Sequence, residues 1–248
     1  MSSLLLLVQA RSSSTRLPGK VLMPFDGERC ILQIQLERLR QVLPEARLLV
    51  ATTNNPADDR LAELVVQWGF KVFRGDENDV LQRFIDAARA EEAEHILRIC
   101  SDNPFLLSSG LVQLATKSLN SSADYLSFQH ADGTPAIRMH WGLYAEYVSL
   151  NALQRAAEAT DDPFYHEHVT NYLYGHPELF DVQWLKADAP LLERPALRLT
   201  IDDEQDFALA QSLFEKSPAG ELLPLIRAID EFPEAQSLMR QQIRKYSK

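Results

Sequence analysis

The sequence predicts an α/β protein built on a mostly parallel, doubly wound sheet. Short aliphatic runs such as Leu4–Gln9 recur along the first two hundred residues, and amphipathic stretches separate them. A continuous aliphatic run suits a strand that is covered on both faces. Strands that alternate with helices favour parallel pairing through right-handed crossovers. No internal repeat or low-complexity linker interrupts the pattern, so we expect one domain.

The first half of the chain supplies the parallel strands. The predicted strands are Leu4–Gln9, Arg47–Thr53, Lys71–Phe73, His95–Cys100 and Asp124–Ser127. The predicted helices are Ile31–Val42, a helix from Asn55–Pro56 to Gly69, Asp79–Glu92 and Ser109–Ser118. Asn55 suits a helix cap, Pro56 a first turn and Gly69 a left-handed residue after the last turn.

The pattern changes between Gln129 and Tyr147. Turn residues fill His130–Pro135, and Arg138–Tyr147 predicts an antiparallel strand or hairpin laid over the sheet. After this insertion, Ser149 is expected to cap a helix. The remaining predicted elements are helix Leu150–Ala159, helix Pro163–Tyr174 closed by Gly175, strands Phe180–Lys186 and Leu197–Ile201, and helices Asp203–Phe214, Glu221–Ile229 and Pro233–Tyr246.

Composition excludes several classes of protein. The chain has 25 basic and 35 acidic residues, a net charge of −10, which argues against a general nucleic-acid or anionic-membrane surface. Cys30 and Cys100 lie too far apart in sequence to indicate a disulfide framework or a zinc site. The apolar run Leu4–Val8 is too short for a signal-peptide core, and no stretch approaches the ~20 apolar residues of a membrane span. We therefore expect a cytoplasmic location.

The most informative stretch is the loop Gln9–Lys20, which reads Gln-Ala-Arg-Ser-Ser-Ser-Thr-Arg-Leu-Pro-Gly-Lys. It follows the first predicted strand, at the sheet edge where open α/β folds bind ligands. The loop carries Arg11, Arg16 and Lys20 beside four consecutive hydroxyl side chains, and no acidic residue precedes Asp26. Arginine forks and a lysine are suited to phosphate oxygens. Neither a P-loop nor a G-x-G-x-x-G fingerprint is present, so we expect a different type of nucleoside triphosphate site.

Several stretches resemble the cytidylyltransferases of spore-coat polysaccharide biosynthesis, which are relatives of the acylneuraminate and Kdo cytidylyltransferases. The loop Gln9–Lys20 is the most specific match. The resemblance covers roughly residues 4–215 and includes Val50–Thr53, Pro56–Asp59, Val72–Gly75, Asp79–Leu81, Arg83, Arg98–Pro104, Glu167–Thr170, Leu197–Asp202 and Asp206.

This resemblance implies a Rossmann-like fold of the nucleotide-diphospho-sugar transferase type. The pattern along the chain adds an inserted antiparallel hairpin and C-terminal helices. We therefore expect a nucleotidyltransferase domain at residues 1–215, with residues 216–248 as a helical extension of the same domain. The implied triphosphate grip is Arg11, Arg16 and Lys20, with Ser13 nearby. Ser13 replaces a glycine that is usual in the family.

Two carboxylates complete the predicted site. Asp102 follows the strand His95–Cys100, and Asp202 follows the predicted strand Leu197–Ile201, so both are expected at the same sheet edge. There they could share one Mg²⁺ with the triphosphate through oxygen ligands. A turn or capping role is the alternative for Asp102. A helix cap is the alternative for Asp202, because Asp202, Asp203 and Glu204 all suit a helix start. With Arg11 and Lys20, the two carboxylates form the predicted catalytic set.

Two further pairs of residues lie at positions of family motifs. Asp79 and Arg83 match a segment near the base and ribose, although the charge pattern favours a helix surface for both. Glu146 matches a position in the family's Gly-Leu-Asp-Val-Glu-Val run, whereas Tyr144 stands where an aspartate is usual. A neutral phenol cannot replace a carboxylate, so we expect Tyr144 and Glu146 to mark an unusual substrate site.

Together these features predict a Mg²⁺-dependent cytidylyltransferase that transfers CMP from CTP to a sugar or sugar acid, with release of pyrophosphate, in surface polysaccharide or glycan biosynthesis. A glycosyltransferase on the same fold and a non-catalytic nucleotide-binding protein stay open as alternatives. The expected partners are CTP and a sugar, without nucleic acid or membrane. The segment 129–147 is a candidate homodimer contact.

Overall fold

The computed structural model describes residues 4–217 and 220–246, and a seven-stranded sheet lies at its centre. A separate two-stranded antiparallel sheet joins β2 and β3. The strands of the described ranges are β1 Leu4–Gln9, β2 Pro24–Asp26, β3 Arg29–Cys30, β4 Arg47–Thr53, β5 Lys71–Gly75, β6 His95–Cys100, β7 Tyr125–Gln129, β8 Glu146–Ser149 and β9 Val182–Lys186.

The order of strands in the large sheet is β5-β4-β1-β6-β8-β7-β9. All neighbours pair in parallel except β8, which runs antiparallel to both β6 and β7. The carboxyl ends of β1 and β6 are therefore adjacent, with Gln9 paired to Cys100. The loops that follow these two strands meet at one edge of the sheet.

Helices cover the sheet on both faces. Their bounds in the described ranges are α1 Ile31–Val42, α2 Asp59–Gln67, α3 Val80–Ala90, α4 Ser108–Ser118, α5 Leu150–Ala159, α6 Pro163–Glu167, α7 Asn171–Gly175, α8 Ala189–Leu192, α9 Glu204–Lys216, α10 Leu222–Asp230 and α11 Pro233–Tyr246.

Strand β1 shows why the sheet is covered on both sides. Leu4, Leu6 and Val8 pack into one hydrophobic cluster with α1, α4 and α9, whereas Leu5 and Leu7 pack into a second cluster with α3 and α5. Successive side chains of a strand point to opposite faces, so a run without alternation must be buried on both. Helices α10 and α11 contribute to the first cluster. Within the described ranges, no helix has the length and apolarity needed to cross a membrane.

Most of the predicted elements are confirmed, and several bounds agree to the residue, but three segments differ. The predicted antiparallel strand is present only as β8, and it lies inside the sheet instead of over it. The predicted helix Pro163–Tyr174 is two short helices, α6 and α7. The predicted strand Leu197–Ile201 is wrong: in the described ranges this segment belongs to neither sheet. Its amides donate from Leu197 to the carbonyl of Arg194, and from Leu199 and Thr200 to the carbonyl of His140.

Candidate nucleotide site

The loop after β1 folds back on itself. Its backbone turns at Gly19, whose φ of 71° lies in the left-handed region that glycine adopts without strain. The carbonyl of Ser12 accepts hydrogen bonds from the amides of Ser14 and Gly19, both at 2.9 Å. The buried carboxylate of Asp58 fixes the start of the loop, because it accepts a 2.7 Å hydrogen bond from the Ser12 amide and a 2.5 Å bond from Thr53.

A cavity of about 270 Å³ lies at this edge of the sheet. Side chains from the β1 loop, the end of β6, the segment after α6 and the segment before α9 surround it. Its lining residues are Gln9, Arg11, Ser13, Ser14, Thr15, Arg16, Lys20, Val21, Arg98, Cys100, Ser101, Asp102, Glu167, His168 and Asp202. The structure thus places the three predicted cations and both predicted carboxylates around one cavity.

Lys20 links the two loops that carry the carboxylates. Its Nζ donates to Oδ2 of Asp102 at 2.7 Å and to the carbonyl of Ile201 at 2.5 Å. The Lys20 side chain is nearly buried, whereas about a third of the Asp102 side chain is exposed. Lysine at the end of the loop therefore reaches the loop after β6 and the segment before Asp202 at once.

Asp202 is held between two guanidinium groups. Arg16 donates to its Oδ1 at 2.6 Å, and Arg198 donates to its Oδ2 at 2.6 Å. The cap of α9 is the neighbouring Asp203, whose side chain accepts from the amides of Gln205 and Asp206. Asp202 is therefore not the side chain that caps this helix, and it remains on the cavity.

Arg198 is a buried residue behind Asp202. Its guanidinium forms a paired interaction with Asp206, at 3.0 and 2.7 Å, and donates to Nδ1 of His140 at 2.7 Å. Since Nδ1 must accept this hydrogen bond, the ring of His140 cannot carry a proton there. Burial and the positive charge of Arg198 lower the pKa of His140. Asp206 itself is buried against Arg198.

The two carboxylates suit a magnesium ion in number and in ligand type. Mg²⁺ is usually held by one or two carboxylates together with phosphate oxygens and water. In the described part of the chain, no group of three or more His, Cys, Asp or Glu residues could hold a metal by itself. Asp102 and Asp202 would therefore hold the ion only together with a phosphate ligand. Asp102 now pairs with Lys20, and Asp202 pairs with Arg16. Phosphate oxygens could bind both of these cations.

Comparison with known proteins identifies the family. The sequence model described as cytidylyltransferase matches residues 5–231. The chain belongs to the cytidylyltransferase family. Its members are nucleotidyltransferases, so the chain is an enzyme of this class.

Individual relatives agree with this assignment. The spore coat polysaccharide biosynthesis protein SpsF of Bacillus subtilis is 34% identical over 244 residues, which cover 95% of this chain and 97% of that protein. An uncharacterised protein of Methanocaldococcus jannaschii is 36% identical over 203 residues, which cover 82% of this chain and 79% of that protein. A cytidylyltransferase structure from Leptospira borgpetersenii has a TM-score of 0.83 at 28% identity and covers 95% of this chain and 97% of that chain.

A more distant structure shares the fold. CMP:2-keto-3-deoxy-manno-octonic acid synthetase complexed with CTP has a TM-score of 0.65 at 16% identity. The match covers 86% of this chain and 99% of that chain. The mostly parallel, Rossmann-like sheet is therefore the cytidylyltransferase fold.

The remaining residues of the predicted nucleotide grip lie at the cavity rim. Arg11 forms a long ion pair of 3.7 Å with Glu167, and more than a third of each side chain is exposed. The hydroxyl of Ser13 is 3.4 Å from Glu77 and is also exposed. These contacts are weak, so both side chains are available to a ligand.

Asp79 and Arg83 do not line the cavity. Asp79 caps α3 by accepting from the Gln82 amide, and its other contact is a 2.9 Å pair with His166. The predicted surface position of Arg83 is wrong: only 1% of Arg83 is exposed, and it donates to the carbonyl of Asp76. Burial and the nearby charge of Arg11 lower the pKa of Arg83. The backbone acceptor lies in the loop before α3, so the helical charge pattern does not reveal this contact. Nucleotide binding by Asp79 and Arg83 stays a prediction.

Tyr144 lies in the core instead of on the cavity. Its ring stacks on Phe128 at 4.0 Å between centroids, and its hydroxyl donates to Asp188 at 2.6 Å. Burial raises the pKa of Tyr144. The position gives no support to a direct contact with a sugar, because a stacked ring with a satisfied hydroxyl has no free group to offer.

Glu146 is also buried, and it forms an ion pair with Arg98. The hydroxyls of Tyr125 and Thr170 donate to its Oε1 at 2.5 and 3.0 Å. The expected substrate contact of Glu146 therefore corresponds, in this structure, to a buried network. Arg98, its partner, does line the cavity.

The sequence did not single out Arg98, His168 or Arg198 as part of the site. For Arg198 a signal was present, because a lone arginine inside the apolar run Leu197–Ile201 requires a buried partner. For Arg98 a similar signal lay in the strand His95–Cys100. For His168 no local pattern indicated a place beside Arg98. The structure places both on the cavity.

Proposed function

We propose that this cytidylyltransferase transfers CMP from CTP to a sugar or sugar acid and releases pyrophosphate, in the biosynthesis of a surface polysaccharide or other glycan. The observation that carries the proposal is the cavity shared by Arg11, Arg16, Lys20, Asp102 and Asp202. The spore-coat relative and the neighbour described with CTP support it. Three cations suit a triphosphate, and two carboxylates suit the divalent cation that accompanies it.

The residues of the loop would act by binding and orienting the triphosphate. Phosphate oxygens would replace the carboxylate oxygens that Arg16 and Lys20 now contact, which exchanges one charge-assisted hydrogen bond for another. A hydroxyl of the acceptor would then attack the α-phosphate, and the bond to pyrophosphate would break. Lys20 and the arginines would balance the negative charge on the departing group, so the step needs no protein nucleophile.

Mg²⁺ is the proposed cofactor. Asp102 and Asp202 would hold it, and when bound it neutralises charge on the phosphate oxygens. The exchange of partners described above would release Asp102 from Lys20 and Oδ1 of Asp202 from Arg16, while Oδ2 of Asp202 stays bound to Arg198. A structural neighbour at 16% identity is described as a complex with manganese, which supports the use of a divalent cation by this fold.

The acceptor would occupy a second, more open cavity of about 500 Å³. It adjoins the first, because Arg98 and His168 line both. Arg138 and the aromatic rings of Tyr165 and Tyr174 also line it, and none of the residues that line it is acidic. Aromatic faces and an arginine suit a sugar that carries a carboxylate.

The test of the proposal is pyrophosphate release from CTP with a panel of sugars and sugar acids in the presence of Mg²⁺. Thermal shifts with the four nucleoside triphosphates would show which one binds, because a ligand of the native state raises the melting temperature. We expect stabilisation by CTP, and release of pyrophosphate only when an acceptor is present. Turnover of nucleotide sugars without use of CTP would indicate a glycosyltransferase. CTP binding without turnover of any acceptor would indicate a non-catalytic protein.

A further inference from the structure

We propose that Tyr246, at the end of α11, is a positioning residue that holds Arg16 for the triphosphate. The inference rests on the proposed function, in which Arg16 binds phosphate. The family match ends at residue 231, so Tyr246 lies beyond the part of the chain that the match covers. Helix α11 would thus contribute a residue to the nucleotide site.

The ring of Tyr246 contacts two guanidinium groups. The Cζ of Arg16 lies 4.7 Å from the ring centroid, and the Cζ of Arg198 lies 5.0 Å from it. Both distances are within the range of a cation–π interaction. The same two arginines bind the two oxygens of Asp202. The aromatic ring is therefore the second group, besides Asp202, that fixes the orientation of Arg16.

Tyr246 is itself fixed by Asp203. Its hydroxyl donates to Oδ2 of Asp203 at 2.8 Å, and Nζ of Lys245 donates to the same atom at 2.7 Å. Gln242 donates to both oxygens of this carboxylate. The last turn of α11 is thus attached to the residue next to Asp202.

This arrangement matters because Arg16 has little other support. Half of its side chain is exposed, and a long, exposed side chain loses rotational freedom when it binds a phosphate. If Asp202 releases Arg16 in order to hold Mg²⁺, the contact with Tyr246 is the one that remains among the residues that the structure describes. The ring lies under the Arg16 guanidinium and offers no charged oxygen, so it leaves the hydrogen-bond donors of Arg16 to phosphate.

The test measures the dissociation constant of CTP with Mg²⁺ by calorimetry, without any acceptor. We expect Tyr246→Leu to weaken CTP binding about two- to fivefold, because it removes an exposed cation–π contact. Tyr246→Phe retains the ring and should bind nearly as tightly as the wild type. Arg244→Ala changes an exposed residue of the same helix and serves as the control for a general effect on α11. Far-ultraviolet circular dichroism of each variant checks that the helix is retained.

A double-mutant cycle gives the decisive measurement. In an Arg16→Ala background, Tyr246→Leu should have no further effect on CTP affinity, because the residue that it positions is gone. An equal loss in both backgrounds would overturn the inference, since it would show that Tyr246 acts on the fold alone. If Arg16→Ala weakens CTP binding but Tyr246→Leu does not, only this inference fails. If Arg16→Ala has no effect, the assignment of the loop to nucleotide binding fails, and the role of Tyr246 fails with it.

Discussion

Replacing Glu146 by glutamine should destabilise the protein strongly. Glu146 is 2% exposed and lies beside the guanidinium of Arg98, which is also nearly buried. The variant keeps the volume of the side chain and an oxygen that can accept from Tyr125 and Thr170, but it removes the negative charge. Arg98 then remains as a buried cation without a counter-charge from this position.

Loss of one partner of a buried ion pair costs about 3–5 kcal/mol of the free energy of unfolding. For a chain of this length, each kcal/mol lowers the melting temperature by about 2–4 °C, so the expected fall is about 6–20 °C. Urea and thermal unfolding, followed by circular dichroism, would measure both quantities. Glu63→Gln is the matched control, because Glu63 makes the same type of pair with Arg60 at 3.6 Å on an exposed surface. That change should cost about 0–1 kcal/mol.

A double variant that combines Arg98→Met with Glu146→Gln should recover part of the lost stability, because neither charge then remains in the interior. A change of less than about 1 kcal/mol in Glu146→Gln, equal to that of the exposed control, would refute the reasoning. If stability were unchanged while the KM for the acceptor rose, Glu146 would be a substrate-binding residue, as the family motif first indicated.

Four further changes test the site and its supports. Arg16→Ala should weaken CTP binding by about ten- to a hundredfold, since a charge-assisted contact contributes roughly 1.5–3 kcal/mol; an unchanged dissociation constant would contradict this. Asp202→Asn should lower Mg²⁺-dependent turnover by orders of magnitude, and full activity in a turnover assay would exclude it as a metal ligand. Ser149→Ala should cost about 0.5–2 kcal/mol in urea unfolding with CTP affinity unchanged, because Ser149 caps α5; no loss of stability would mean that the cap contributes nothing. The pKa of His140 is lower in the folded protein than its ordinary value of about 6.5. The neutral ring therefore stabilises the fold above that pH, and this contribution to stability is lost as the pH falls below it. From about pH 7 to pH 5, the wild type should therefore lose more thermal stability than His140→Asn, and equal losses would contradict the role of the Arg198 contact.

Local patterns in the sequence were sufficient for most of the secondary structure. The bounds of β1, β4, β6, α1 and α5 agree with the prediction to the residue. These elements are specified by signals within a few residues: aliphatic runs, helical spacing, or a capping serine such as Ser149. The position of the candidate nucleotide loop, Gln9–Lys20, followed from β1 in the same way, because a loop that follows a parallel strand must lie at the carboxyl edge of the sheet.

Segments whose backbone or side-chain partners are distant in sequence were predicted less well. Leu197–Ile201 has the apolar composition of a buried strand, but within residues 4–217 and 220–246 no strand pairs with it, so it joins neither sheet. Glu146–Ser149 inserts between β6 and β7 in the sheet, which the local pattern of residues 138–147 could not reveal. Composition shows that a segment is buried, whereas pairing depends on which other segment reaches it.

The sequence by itself determined the chemistry of the site: three cations on one loop, two carboxylates after apolar runs, and the family to which they belong. Only the tertiary structure decided what each charge contacts. It assigned the cap of α9 to Asp203 and left Asp202 to Arg16 and Arg198, although the three acidic residues from 202 to 204 are equivalent as a sequence pattern. It also brought Tyr246, 230 positions after Arg16, against that arginine. Residue types fix which interactions are favourable, but the partners are chosen by the packing of distant segments, which no local pattern encodes.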